Sequence, residues 1–150
     1  MLIDAGANLD HRTHGNGKCA LLKASVRGHT EIVKMLLLAG ANANILKTYD
    51  EASSLYAAAY AGKVEVMELL IEHNARLENR MIENSLVTLE RNPKYYGSTP
   101  LIVASFFSQA EAVQVLLKAG ADTSATTVEG KTALDVAGSE ACRKQLLAAA

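Results

Sequence analysis

The side chains in this chain with the chemistry to act on a substrate are His11, His14, His29 and His73, Cys19 and Cys142, and a scatter of carboxylates. A zinc site needs ligands in close pairs on one turn or finger. These histidines and cysteines offer no such paired spacing. A catalytic cysteine needs an activating base within hydrogen-bond reach, and nothing in the spacing sets a histidine beside Cys19. The run His14-Gly15-Asn16-Gly17-Lys18-Cys19 has the glycines of a phosphate loop. That loop also requires a glycine five residues before the Gly-Lys pair and a Ser or Thr after it. Arg12 and Cys19 occupy those two places. No pair of carboxylates stands out as acid and base. The chain is therefore not expected to be an enzyme, or to hold a metal or a cofactor.

The elements behind these residues repeat. Leu21, Leu55, Leu101 and Leu134 stand 34, 46 and 33 residues apart. A second landmark, Gly6-Ala7, Gly40-Ala41, Asn74-Ala75 and Gly120-Ala121, recurs at 34, 34 and 46. A period near 33 with one insertion marks a solenoid, whose units bury their apolar faces against their neighbours. Such an array offers an extended surface rather than an enclosed catalytic cavity.

One unit is read as two helices and a turn. Ala20-Leu21-Leu22-Lys23-Ala24-Ser25-Val26 predicts a two-turn helix, broken at Arg27-Gly28-His29 where glycine admits a positive φ. A second helix is predicted from Thr30 to Ala39, with Ile32, Val33, Leu36 and Leu37 on one face. Gly40 ends it. The same stripe recurs as Val66, Met67, Leu70 and Ile71, and as Ala112, Val113, Leu116 and Leu117. Asn42-Ala43-Asn44 and Asp122-Thr123-Ser124 suit the turns that join consecutive units.

Four blocks carry a family pattern: Gly97-Ser98-Thr99-Pro100-Leu101, Gly130-Lys131-Thr132-Ala133-Leu134, Gly28-His29-Thr30-Glu31-Ile32-Val33, and Leu116-Leu117-Lys118-Ala119-Gly120-Ala121-Asp122. Together they resemble the ankyrin repeat over nearly the whole chain. The resemblance implies an all-α solenoid of stacked helix-turn-helix units joined by β-hairpin fingers. Residues 1–13 read as a partial repeat, 14–47, 48–80, 94–126 and 127–150 as repeats, and 81–93 as an insertion in a finger loop. Thr99-Pro100 also makes sense alone, as N-cap and first helical residue.

Departures from the pattern are informative. Leu22, Tyr56, Ile102 and Asp135 stand where the family has a histidine that ties neighbouring fingers, so those imidazole bridges are missing. Cys19 and Ser53 replace the usual threonine. Glu51 replaces the turn glycine, and an irregular finger is expected there. The insertion contributes Met81, Ile82, Leu86, Val87 and Leu89, too apolar for a freely solvated loop; it either folds back onto the stack or contacts a partner. The opening Met1 to Asn8 matches only the end of a second helix, as in a chain cut from a longer repeat protein. The last copy is about three residues short, with Arg143, Lys144 and Gln145 as a polar cap.

The resemblance implies partner docking on the concave side, at positions five or six residues either side of each anchor leucine. These are Gly15, Asn16, Val26 and Arg27; Tyr49, Asp50, Tyr60 and Ala61; Tyr95, Tyr96, Phe106 and Phe107; and Val128, Glu129, Ser139 and Glu140. Six of the seven aromatic residues fall there, all but Tyr56. Aromatic rings are enriched at protein interfaces, so Arg27, Tyr49, Asp50, Tyr60, Tyr95, Tyr96, Phe106 and Phe107 are the expected partner-binding residues. The alternative is that Phe106 and Phe107 fill space beside small neighbours, or lie under the insertion.

Charge agrees with a protein partner. The net value is −1, which argues against a nucleic-acid binder despite Arg12, Lys18, Lys23 and Arg27. Residues 1–48 carry six basic and three acidic side chains and residues 49–93 four and eight, an asymmetry that either orients a charged partner or marks solvated helix faces. No apolar stretch approaches the roughly 20 residues needed to cross a bilayer. Two cysteines set too far apart to bridge point to a reducing, intracellular setting, the cytoplasm. The expected product is a monomeric, non-catalytic protein-interaction module; the alternative is a regulatory or targeting domain cut from a larger enzyme or signalling protein.

Overall fold

A computed structural model describes residues 6–14, 17–47, 51–82 and 96–149. Seven helices appear in it: α1 (Ala20–Arg27), α2 (Thr30–Leu38), α3 (Ser54–Tyr60), α4 (Val64–Glu72), α5 (Pro100–Phe106), α6 (Ala110–Lys118) and α7 (Glu140–Ala149). They form two layers. The first helices α1, α3 and α5 pack side by side, and the second helices α2, α4 and α6 pack behind them, with α7 against α6. This is an all-α solenoid.

Each first helix starts on a hydroxyl or thiol cap. Cys19 Sγ accepts from the Leu22 N–H at 3.5 Å, Ser53 Oγ from Tyr56 at 3.0 Å, and Thr99 Oγ1 from Ile102 at 3.4 Å. Such caps satisfy amides that a helix leaves unpaired at its start. The anchor leucines Leu21, Leu55 and Leu101 are fully buried between the layers, whereas Leu134 is half-buried.

The turn between helices is the same in three units. His29 N–H donates to Ala24 O, Lys63 to Ala58, and Gln109 to Ala104, at 2.9–3.0 Å. The preceding residue adopts a left-handed φ: 74° at Gly28, 64° at Gly62 and 60° at Ser108. Ser108 thus holds a conformation that glycine adopts without penalty.

Neighbouring units are tied by a recurring side chain. Asp10, Asn44 and Glu78, in register at intervals of 34, accept from the backbone N–H groups of Asn42, Arg76 and Asp122 in the following unit. The fingers add to this. Arg80 donates to the carbonyls of Gly97 and Thr126, and the Val128 N–H donates to Tyr96 O at 3.0 Å. The last finger closes as a hairpin through an isolated antiparallel bridge between Thr126 and Thr132.

Several expectations are corrected. The second helix ends at Leu38 rather than Ala39, which serves as its C-cap. Ile32 is 49% exposed, while its counterparts Val66 and Ala112 are buried. They lie on α4 and α6, each of which packs on the second helix of the unit before, and α2 has no such helix ahead of it among the described residues. The finger at Glu51 is regular at its stem: Glu51 takes φ 53° and donates to Lys47 O, as Gly97 does to Met81 O. Inter-finger bridging also survives the missing histidine at one place. The Tyr56 hydroxyl lies 3.0 Å from Ser98 Oγ of the next unit.

The first helix of the last unit is reduced to one turn over residues 133–136, and α7 follows after the three residues 137–139. Asp135 accepts from both the backbone N–H and the hydroxyl of Thr132 at 2.8 Å. The residue at the histidine position therefore stabilises its own turn. Gly138 N–H donates to Ser105 O at 3.0 Å, and a Cβ there would stand 2.7 Å from Phe106 O. Only glycine permits this approach.

Candidate partner-docking face

Helix length decides where the rings emerge. The first helices are two turns long, so the residues five and six places after each anchor leucine lie at their C-terminal ends, beyond the buried layer. Tyr60 ends α3, Phe106 ends α5 and Phe107 is the α5 C-cap. The Tyr60 and Phe107 rings meet edge to face at 4.6 Å between centroids, and Phe106 meets Phe107 at 5.3 Å. Edge-to-face pairs at these distances are favourable beyond their buried area. The cluster thus joins two consecutive units. Tyr60 is 47% exposed, and Phe106 and Phe107 are half-buried, with Phe107 resting on the core.

Tyr96 lies in the adjoining finger, half-buried, with its carbonyl bound by Val128. Gly97 makes that approach possible, because a Cβ there would stand 3.1 Å from the Val128 amide and Cγ1. Val128 itself is 70% exposed. Beside Phe106, the residues Glu129, Lys131, Asp135 and Val136 line an open depression of about 290 Å³.

Arg27 is exposed in the last turn of α1, in register with Phe107 two units on. Its charge is favourable at a helix C-terminus. Tyr49, Asp50 and Tyr95 lie outside the described residues, as do Gly15 and Asn16. So does most of the insertion: Met81 packs on the core and Ile82 is exposed, and 83–93 are not described. Met81 N–H donates to Ser98 O as Lys47 does to Ala52 O. Ser139 Oγ accepts from the Cys142 N–H at the start of α7, and the neighbouring Gly138 N–H donates to Ser105 O of α5. Sequence reasoning also missed Lys131, Asp135 and Val136, because spacing from an anchor leucine does not count residues brought in by a shortened unit.

The polar chemistry of the face is structural. Burial pushes the Cys19 thiol up from its ordinary value, the Leu22 N–H offsetting part of this, so it is a poor nucleophile. Hydrogen bonds from Ser124 hold the Asp122 carboxyl below its usual range, and those from Thr132 do the same for Asp135. Both stay ionised at neutral pH. Cys19 and Cys142 are buried and unpaired. Among the described residues, no three His, Cys, Asp or Glu side chains gather to hold a metal, and no helix is long and apolar enough to cross a membrane.

Comparison with known proteins agrees with the geometry. The family model for ankyrin repeats (3 copies) matches residues 1–81 and 37–127. The probable E3 ubiquitin-protein ligase XBOS32 of Oryza sativa subsp. japonica is 26% identical over 92% of this chain and 31% of its own length. The protein phosphatase 1 regulatory subunit 12A of Mus musculus is 37% identical over 51% of this chain and 7% of its own. The neurogenic locus notch homolog protein 1 of Xenopus laevis is 32% identical over 88% of this chain and 5% of its own. The chain spans less than a third of the length of each of these relatives. It belongs to the ankyrin repeat family.

Proposed function

We propose that this chain is a non-catalytic protein-interaction module that docks another protein on its concave surface. Tyr60, Phe106 and Phe107 form the centre of that surface and Tyr96 its edge, with Arg27, Tyr49, Asp50 and Tyr95 as further contact positions. The observation that carries this reading is the edge-to-face contact of Tyr60 and Phe107 across two units, with Tyr60 still half in water. Rings already held against each other lose little freedom on binding, and aromatic anchors of this kind dominate interface energies. The docking is read as that of a monomer without a cofactor, and the buried free thiols support an intracellular setting.

An affinity pull-down from a cognate lysate, with a Tyr60→Ala/Phe107→Ala variant alongside, tests it. The captured protein is expected to disappear with the variant while the circular dichroism spectrum is retained. Equal capture by both would overturn the reading. A second reading, that the module regulates or targets a larger enzyme or signalling protein, is favoured by relatives many times longer, one named as a phosphatase regulatory subunit.

A further inference from the structure

We infer that the depression beside the aromatic cluster receives an arginine side chain from an extended segment of the partner, an inference that rests on the docking reading above. Its walls are of two kinds. Phe106 and Val136 supply apolar surface, and Glu129 and Asp135 supply two carboxylates against the single ammonium of Lys131. The excess is one negative charge. The volume, about 290 Å³, lies at the lower edge of the roughly 300–1,000 Å³ that whole small ligands occupy. An open hollow of that size suits one side chain of a chain lying across it.

Guanidinium matches both kinds of wall at once. Its plane stacks on an aromatic ring, its edge donates to carboxylates in a fork, and it gives up water more readily than an ammonium does. An apolar side chain would cover Phe106 but take water from the carboxylates without replacing the hydrogen bonds. A carboxylate would be repelled. Asp135 is already aligned by Thr132 and remains charged. Lys131 competes for the same carboxylates, so it limits affinity and its loss should improve binding. Neighbouring apolar residues of the same segment would then fall on Tyr60 and Phe107.

The test is a titration of the full isotope-labelled chain, followed by nuclear magnetic resonance, with N-acetylarginine methylamide and with its norleucine and lysine counterparts. The arginine probe is expected to shift the amides of Glu129, Lys131 and Asp135 and the ring signals of Phe106, saturating at millimolar concentration. The norleucine probe should leave the three amides unmoved, and the lysine probe should bind more weakly than arginine. Glu129→Gln, which removes no bond within the fold described above, is expected to weaken the arginine probe about three- to fivefold; Lys131→Ala is expected to tighten it. Equal shifts with norleucine would overturn the arginine preference and leave the docking face standing. No shift with any probe would overturn it as well, and the capture comparison with Tyr60→Ala/Phe107→Ala then judges the docking face separately.

Discussion

Among the described residues, three without glycine's freedom hold left-handed backbone: Glu51, Asn74 and Ser108. Each stands in register with a glycine of another unit, such as Gly97, Gly40 and Gly28. Asparagine tolerates the conformation; glutamate and serine less so. Glu51→Gly and Ser108→Gly should therefore each raise the unfolding free energy, read from urea unfolding, by about 0.5–1 kcal/mol after the looser unfolded chain is counted. No gain in either would mean that the turn relaxes elsewhere. Caps give a second case. Sulfur is a weak acceptor, so the Cys19 Sγ cap on the Leu22 N–H is a weak one. Cys19→Thr should stabilise by about 0.5–1 kcal/mol, again read from urea unfolding. The substitution of threonine by Cys19 was visible in the sequence. That Glu51 would keep the finger stem regular was not, because its left-handed φ is accompanied by a bond to Lys47 O, which residue type alone does not record.

At the scale of elements, bonds between units replace the histidine ladder. The Tyr56 hydroxyl reaches Ser98 in the next finger, so Tyr56→Phe should cost about 1 kcal/mol and speed amide exchange at the stem around Met81 and Ser98. An unchanged exchange rate there would assign Tyr56 to packing alone. An acid braces a turn in each of the last two units. Asp122 and Asp135 have carboxyls depressed by hydrogen bonding, so their contribution is complete above the usual carboxylate range near pH 4 and lost as pH falls through the lower folded values. The urea midpoint should decline below about pH 4, with a shallower decline in Asp122→Ala/Asp135→Ala. A decline just as steep in that variant would place the acid sensitivity elsewhere. The helix pairs themselves were legible, since Leu21, Leu55 and Leu101 and their stripes sit where the period requires. The collapse of the last first-helix to one turn was only partly so. The chain showed a deficit of about three residues, but which element lost them depended on Gly138 closing onto Ser105 and Phe106.

The whole molecule is a linear stack, in which each unit's stability comes from its immediate neighbours. The core rests on Leu21, Leu55, Met67, Leu70, Leu101 and Leu116, and the rings of the proposed docking face lie at the ends of α3 and α5. The resemblance and the spacing put Tyr60 and Phe106 near the ends of first helices, where α3 and α5 have them; they could not show that Tyr60 meets Phe107, because that contact depends on how far one unit is turned from the next. Hydrogen–deuterium exchange on the captured complex tests the central claim most directly. Protection is expected at the C-terminal ends of α3 and α5 and in the last finger over residues 126–132. Protection confined to the second-helix layer of α2, α4 and α6 would contradict it.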